Sequence, residues 1–179
     1  MRTILAAIFL VAFASPLFAQ DEAAAARAAA GCGPAQVNFE VKTDMKQHPA
    51  AQPETGKALV YVFEFDKREP NVTYFSSETT RIGLDGSWVG ANHGQSYFFF
   101  PVGPGDHRLC ANWQSRLKKY SRLGSAVSFK AEAGNVYYFR AMVDVRTKYE
   151  PTLKLEPLDS AEGQFLISAS SFSTFRAKN

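Results

Sequence analysis

The stretch from Arg81 to Cys110, RIGLDGSWVGANHGQSYFFFPVGPGDHRLC, constrains the fold more than any other part of the chain. Asp85-Gly86 lies between alternating apolar flanks. A two-residue hairpin loop needs φ > 0 at both central positions, which this pair tolerates. Pro104-Gly105-Asp106 is a second turn, with proline fixing φ and glycine supplying the left-handed position. The sequence therefore reads as a hairpin, an aromatic strand from Tyr97 to Val102, a tight turn and a further strand from His107.

The turn also sets a register. It predicts Leu84 opposite Ser87, Gly83 opposite Trp88 and Ile82 opposite Val89. Directly opposed side chains share a face, so Ile82, Leu84 and Val89 form the inward set and Trp88 lies on the other face, over the bare backbone of Gly83. A large ring covering a cross-strand glycine is a stabilising arrangement. The alternative for Trp88 is an exposed platform for stacking a sugar or another flat ligand.

In order along the chain, Met1 to Ala19 looks like a secretory signal. Arg2 supplies the positive start, Ile4 to Ala14 is an uncharged apolar run, and Leu17-Phe18-Ala19 is an acceptable cleavage site. That run is too short to span a bilayer stably. Export to the periplasm or the exterior is expected, with no transmembrane segment in the mature chain. The rival is lipid anchoring at Cys32, because Ala29-Ala30-Gly31-Cys32 resembles a lipidation site; Asp21, Glu22 and Arg27 separate it from the apolar run. Residues 20–55 read as an alanine-rich tether, one alternating strand around Val37, Phe39 and Val41, and an extended linker over His48 to Gly56.

The domain itself is expected over residues 56–168. Ala58 to Phe65 and Val136 to Val145 are apolar on both alternating faces, as central strands covered on both sides would be. His107, Leu109, Ala111 and Trp113 alternate against Arg108, Cys110 and Asn112. Asp159 to Ile167 reads as a helix with Asp159 as N-cap and Glu162 at the capping-box position. Residues 169–179 are Ser-rich and read as a flexible tail. Seven or eight short strands with turn signals predict an all-β fold, an antiparallel β-sandwich (Ig-like or transthyretin-like) with one short C-terminal helix. Leu59, Tyr61, Val62, Ile82, Leu84, Phe98, Phe100, Leu109, Phe139 and Ala141 are the expected core.

Chemistry-bearing patterns are sparse. His48, His93 and His107 are the only histidines, and none has a metal partner at usable spacing. There is no Gly-x-Ser-x-Gly, and the glycines punctuate turns without opening a helix. Glu64 with Asp66, and Asp85 with Asp106, are paired carboxylates at a strand end and in turns. No cofactor is implied, and no enzyme. A net charge of +3 is far from the dense positive field of a nucleic-acid binder. The one basic surface feature is a loop with Arg116, Lys118, Lys119 and Arg122 around Tyr120. It is either a solvated loop or a contact for anionic envelope lipid or glycan, with Trp88, Tyr97 and Tyr120 as stacking residues. Cys32 and Cys110, an even count in an exported chain, are expected to pair. The alternation places Cys110 on the outer face, where an N-terminal segment strapped across it reaches the thiol.

The segments GKALVYVF at Gly56 to Phe63, IGLDGSWVG at Ile82 to Gly90, YFFFPVGPGDHRL at Tyr97 to Leu109 and AEAGNVYYFR at Ala131 to Arg140 resemble a bacterial family catalogued as domain of unknown function 2846. The central part is also similar to short repeats of surface-layer proteins. The resemblance implies an exported β-sandwich and carries over no catalytic residues. The expectation for function is a non-catalytic cell-envelope module with a structural or protein-interaction role; the alternative is a glycan- or lipid-binding module.

Overall fold

The computed structural model describes residues 31–68, 79–115, 120–145 and 150–178. The expected leader and most of the tether lie outside the described residues. Ten strands and one helix are described: β1 (Asn38–Asp44), β2 (Ala58–Arg68), β3 (Thr79–Leu84), β4 (Ser87–His93), β5 (Ser96–Val102), β6 (Gly105–Gln114), β7 (Gly124–Ala131), β8 (Val136–Val145), β9 (Thr152–Leu158), α1 (Ser160–Ala169) and β10 (Ser171–Lys178). They form a six-stranded sheet in the order β1-β10-β5-β2-β8-β9 and a four-stranded sheet in the order β4-β3-β6-β7. The all-β sandwich with one C-terminal helix is the fold.

Pairing is antiparallel except at two places. β2 and β8 run parallel from Leu59↔Val136 to Arg68↔Val145, and β10 meets β5 in parallel at Ser171↔Ser96 and Phe172↔Tyr97. Parallel neighbours need a long crossover, and the crossover from β2 to β8 holds the whole four-stranded sheet together with β5. The two strands predicted to be covered on both sides are this central pair. One face of β2, Val60 and Val62, packs between the sheets with Ile82, Phe98, Leu109 and Trp113. The other face, Leu59, Tyr61 and Phe63, forms a second layer with Tyr97, Tyr138 and Leu166 of α1. Each of these fully buried apolar side chains contributes roughly 1.5–3 kcal/mol.

The hairpin turn is as expected: Asp85 has φ 51° and Gly86 φ 83°. Leu84↔Ser87 and Gly83↔Trp88 pair as predicted, but Ile82 faces Gly90, not Val89, across a β-bulge between Ile82 and Gly83. Gly90 fits there because a side chain would collide with the rings of Phe98 and Phe175. Leu84 is half-buried at the rim of the core and not within it.

Other expectations are corrected at the two ends of the chain. Residues 20–55 are not all outside the sandwich, since β1 is the edge strand of the six-stranded sheet. His48 to Gly56 is not a free linker. Tyr97 Oη donates to Pro49 O at 3.0 Å, and Ala51 N–H donates to Tyr61 Oη at 2.7 Å, so this segment covers the second apolar layer. The tail is not loose: Ser171 to Lys178 is β10, inserted between β1 and β5. α1 starts as predicted, with the Asp159 carboxylate accepting from Glu162 N–H at 2.8 Å. Gly163 lets the helix lie on the Tyr138 ring, where a Cβ would sit 2.3 Å from the ring.

Candidate functional site

Alternation along β3 and β6 sends Arg81, Gly83, Cys110 and Asn112 to the outer face of the four-stranded sheet, opposite to Ile82, Leu109 and Ala111. The N-terminal segment from Gly31 to Phe39 lies across this face as a strap. Cys32 is joined to Cys110, with Cα atoms 5.6 Å apart and both residues buried. The predicted disulfide is therefore present. In the entropic model, closing a loop of this length, 78 residues apart in sequence, stabilises the fold by about 4.5 kcal/mol.

The contacts that follow run along the strap in order. The Cys32 backbone crosses Gly83 so closely that a Cβ on Gly83 would meet the Cys32 carbonyl oxygen at 2.0 Å. Gly33, with φ 156°, packs against the Trp88 ring. Trp88 Nε1–H donates to Pro34 O at 2.8 Å. Arg81 donates from Nη1 to Val37 O at 2.6 Å and to Ala35 O at 3.4 Å. Gln114 closes the series, accepting from Phe39 N–H at 2.6 Å and donating to Phe39 O at 2.9 Å. Every hydrogen bond in this series ends on a backbone atom of the strap, while the side chains of Pro34, Ala35 and Gln36 face solvent.

Arg81 is the pivot. Its guanidinium is buried, 4.6 Å above the Trp88 ring centroid, and donates from both Nε and Nη2 to the Asn112 side-chain oxygen. Burial pushes it below its usual pKa. The Asn112 amide N–H groups go to Ser121 O at 3.1 Å and Leu123 O at 3.0 Å. One polar chain thus links strap, β3, β6 and the loop before β7. Register alone brings Arg81, Trp88, Cys110 and Asn112 to one face; the signal for Arg81 and Asn112 was their phase with Gly83 and Cys110.

Among the described residues, the candidate stacking residues Trp88, Tyr97 and Tyr120 are not brought together. Trp88 is half-buried against the strap, so it is neither an open platform nor a lid on bare Gly83, whose backbone is covered by Cys32. Tyr97 is wholly buried, 5.5 Å from Phe63, and burial pushes its phenol up to about 12; it offers no stacking surface. Tyr120 packs inward against Trp113, ring centroids 5.6 Å apart, on the opposite side of the sheet from Trp88. Arg122 is exposed, while Arg116, Lys118 and Lys119 lie outside the described residues.

His107 and Asp85 serve the hairpin turn. His107 Nδ1–H donates to the Asp85 carboxylate at 2.7 Å and Nε2–H to Gly103 O at 2.9 Å. Both ring nitrogens face acceptors, so the doubly protonated ring is the form that satisfies both contacts. The Asp85 carboxylate raises the His107 pKa. Desolvation pushes Asp85 up, but Arg108 N–H and His107 hold it below its usual value. Asp85 is thus a turn group, and Asp106 is an exposed residue of β6 opposite Lys130. Glu64 is fully buried, and the Asp66 side chain lies outside the described residues. Among the described residues there is no group of three or more His, Cys, Asp or Glu placed to hold a metal, and no helix long and apolar enough to cross a membrane.

The described concave feature of note is a cleft of about 240 Å³ between the sheets. Its walls are Val127 and Phe129 of β7 and Pro157 and Leu158 of β9, over Tyr137 and Phe139. Comparison of the chain with family models, curated proteins and solved structures returned no match.

Proposed function

We propose that the chain is an exported, non-catalytic β-sandwich module of the cell envelope with a structural or protein-interaction role. The observation that carries this reading is the strapped face. A buried arginine, a tryptophan and a glutamine bond backbone atoms of the protein's own N-terminal segment, an asparagine holds that arginine, and the disulfide fixes the same segment covalently. The polar side chains best placed to recognise a ligand are spent on holding the fold. A disulfide between the described cysteines suits an oxidising compartment. The leader pattern and the family resemblance point the same way. Periplasmic or extracellular placement follows from them, with cleavage after Ala19.

The glycan- or lipid-binding alternative loses its stacking residues, because Trp88 and Tyr97 are occupied. The test is a glycan and lipid array probed with residues 20–179 and with Trp88→Ala, alongside mass spectrometry of the exported product. No Trp88-dependent binding and a mature start at Gln20 are expected. Binding by the wild type that the variant loses would replace the structural reading by the ligand-binding one, and a lipid on Cys32 would rule out both the disulfide and cleavage after Ala19.

A further inference from the structure

Tyr61 and Tyr97 lie in the second apolar layer, on the face of the sandwich away from the strap, and both are buried. A buried tyrosine hydroxyl needs a partner, and both find theirs in one segment. Tyr97 Oη donates to Pro49 O at 3.0 Å. Tyr61 Oη accepts from Ala51 N–H at 2.7 Å and donates to Ala51 O at 3.3 Å. All three bonds end on backbone atoms of residues 48–53, His-Pro-Ala-Ala-Gln-Pro, which join no strand ladder. Proline fixes φ at about −65° and pushes the residue before it to extended geometry. Burial alternates accordingly: Pro49, Ala51 and Pro53 are half-buried, while Ala50, Gln52 and Glu54 are exposed. Ala51 packs on the aromatic layer, in which the Tyr61 ring lies 5.1 Å from Phe99, 5.4 Å from Tyr138 and 6.2 Å from Tyr97.

An aromatic platform that receives an extended, proline-bearing chain is a recurring mode of peptide recognition. Here the occupant is the protein's own connection between β1 and β2. We propose that this layer is a docking groove for an extended, proline-bearing polypeptide of a partner protein, and that residues 48–53 occupy it in cis as a displaceable lid. The bonds that hold the lid on the tyrosines go to backbone atoms, so a second chain with the pattern Pro-x-Ala-x-Pro offers the same contacts in trans. Exposed turns flank the lid. His48 Nδ1–H donates to Ile167 O at 2.9 Å at the end of α1, and Lys57 N–H closes a turn on Glu54 O at 2.9 Å with Gly56 at φ 77°. A covering segment outside the ladders opens at a lower free energy than the strands beneath it.

The groove gives the protein-interaction role proposed above its partner chemistry and rests on that reading. The arrays probe Trp88 on the strapped face and a peptide probes this face, so the two fail separately. The probe is a peptide of residues 47–55, followed by fluorescence anisotropy. It is offered to the disulfide-intact chain and to a variant with residues 48–53 replaced by alternating glycine and serine, circular dichroism checking the fold. The variant is expected to bind at least about tenfold more tightly, because the wild-type lid competes at roughly millimolar effective concentration. Adding Tyr97→Phe to the variant is expected to weaken binding about twofold to tenfold, the share of one hydrogen bond. A peptide with alanine at both proline positions is expected to bind at least about threefold more weakly, being less ordered before it docks. In the wild type, Ala51 N–H is expected to exchange with solvent by local opening, faster than the amides of β2 and at a rate insensitive to low urea. No binding by the folded variant overturns the proposal, as does equal binding by the two proteins or by the proline-free peptide. So does an Ala51 amide that exchanges only with global unfolding.

Discussion

Gly83→Ala tests the closest contact in the molecule. The added Cβ would lie 2.0 Å from the Cys32 carbonyl oxygen, 2.7 Å from its carbonyl carbon and 2.9 Å from its Cα. Ordinary contact begins near 3.4 Å, so the strap must retreat by roughly 1.4 Å. The disulfide at this very residue resists that retreat. Overpacking of this kind costs about 1–3 kcal/mol. Loosening the Arg81 hydrogen bonds to Val37 and Ala35 adds a part of the roughly 1.5–3 kcal/mol that a charged donor's bond contributes. The expected loss is about 3 kcal/mol in the oxidised protein, a fall in Tm of about 6–12 °C for a chain of this size. In a Cys32→Ser/Cys110→Ser background the strap lifts without resistance, and the same substitution is expected to cost only about 1–2 kcal/mol. Urea unfolding followed by tryptophan fluorescence and far-ultraviolet dichroism gives all four corners of the cycle. A Gly83→Ala loss within about 0.5 kcal/mol of zero, the range of ordinary surface substitutions, refutes the strap as a tightly fitted element. Equal losses in both backgrounds refute the coupling to the disulfide.

Four further outcomes are expected. Cys110→Ser should lower stability by up to about 4.5 kcal/mol, with thiol titration of the wild type showing no free thiol before reduction. The raised His107 pKa contributes stability that is full below its unfolded value near 6.5 and lost as pH rises through the higher folded value; the lowered Asp85 pKa contributes stability present above about 4 and lost as pH falls. The His107–Asp85 pair is therefore strongest between about pH 4 and 6.5, and His107→Gln should flatten the fall in Tm on the alkaline side. Gly163→Ala should lift α1 from Tyr138 and destabilise by about 1–3 kcal/mol despite alanine's better helix propensity, a gain in thermal stability being the contrary result. Tyr97 should remain un-ionised in a spectrophotometric titration well past the ordinary phenol value near 10, its own phenol titrating only near pH 12.

Local signals carried the parts of the fold that local physics decides. The Asp85-Gly86 turn, the Asp159 cap, the two-faced apolar strands β2 and β8 and the outer-face position of Cys110 all follow from residues within a few positions of one another. Pairing partners did not follow. Alternation says that β2 is buried on both faces but not that its neighbour lies beyond five intervening strands and runs parallel. β10 was hidden because its serines sit in protected places: Ser173 is buried, donating to Ser96 Oγ at 2.8 Å, and the strand's partner β1 comes from the far end of the chain. The bulge at Val89 shifted the hairpin register by one because the ring packing against Gly90 comes from β5 and β10. At the strapped face, a tryptophan beside a glycine read as a self-contained pair. What covers Gly83 is a backbone contributed from some fifty residues upstream, and no periodicity records it.

The Cys32–Cys110 bond also decides how the domain carries load. A pull on the chain ahead of Gly31 does not peel the strap contact by contact from Pro34 to Phe39. It passes through the covalent bond to the middle of β6, which is laddered to β3 through Gly83 and to β7 through Ala126. The force arrives at an interior strand laddered on both sides, while β1, the strand the backbone would otherwise load first, is an edge laddered to β10 on one side only. Reduction moves the point of attack from the centre of one sheet to the rim of the other. Oxidised and reduced chains with equal resting structure should therefore differ most in their extension under tension, the reduced one lengthening first by the span of the strap and β1.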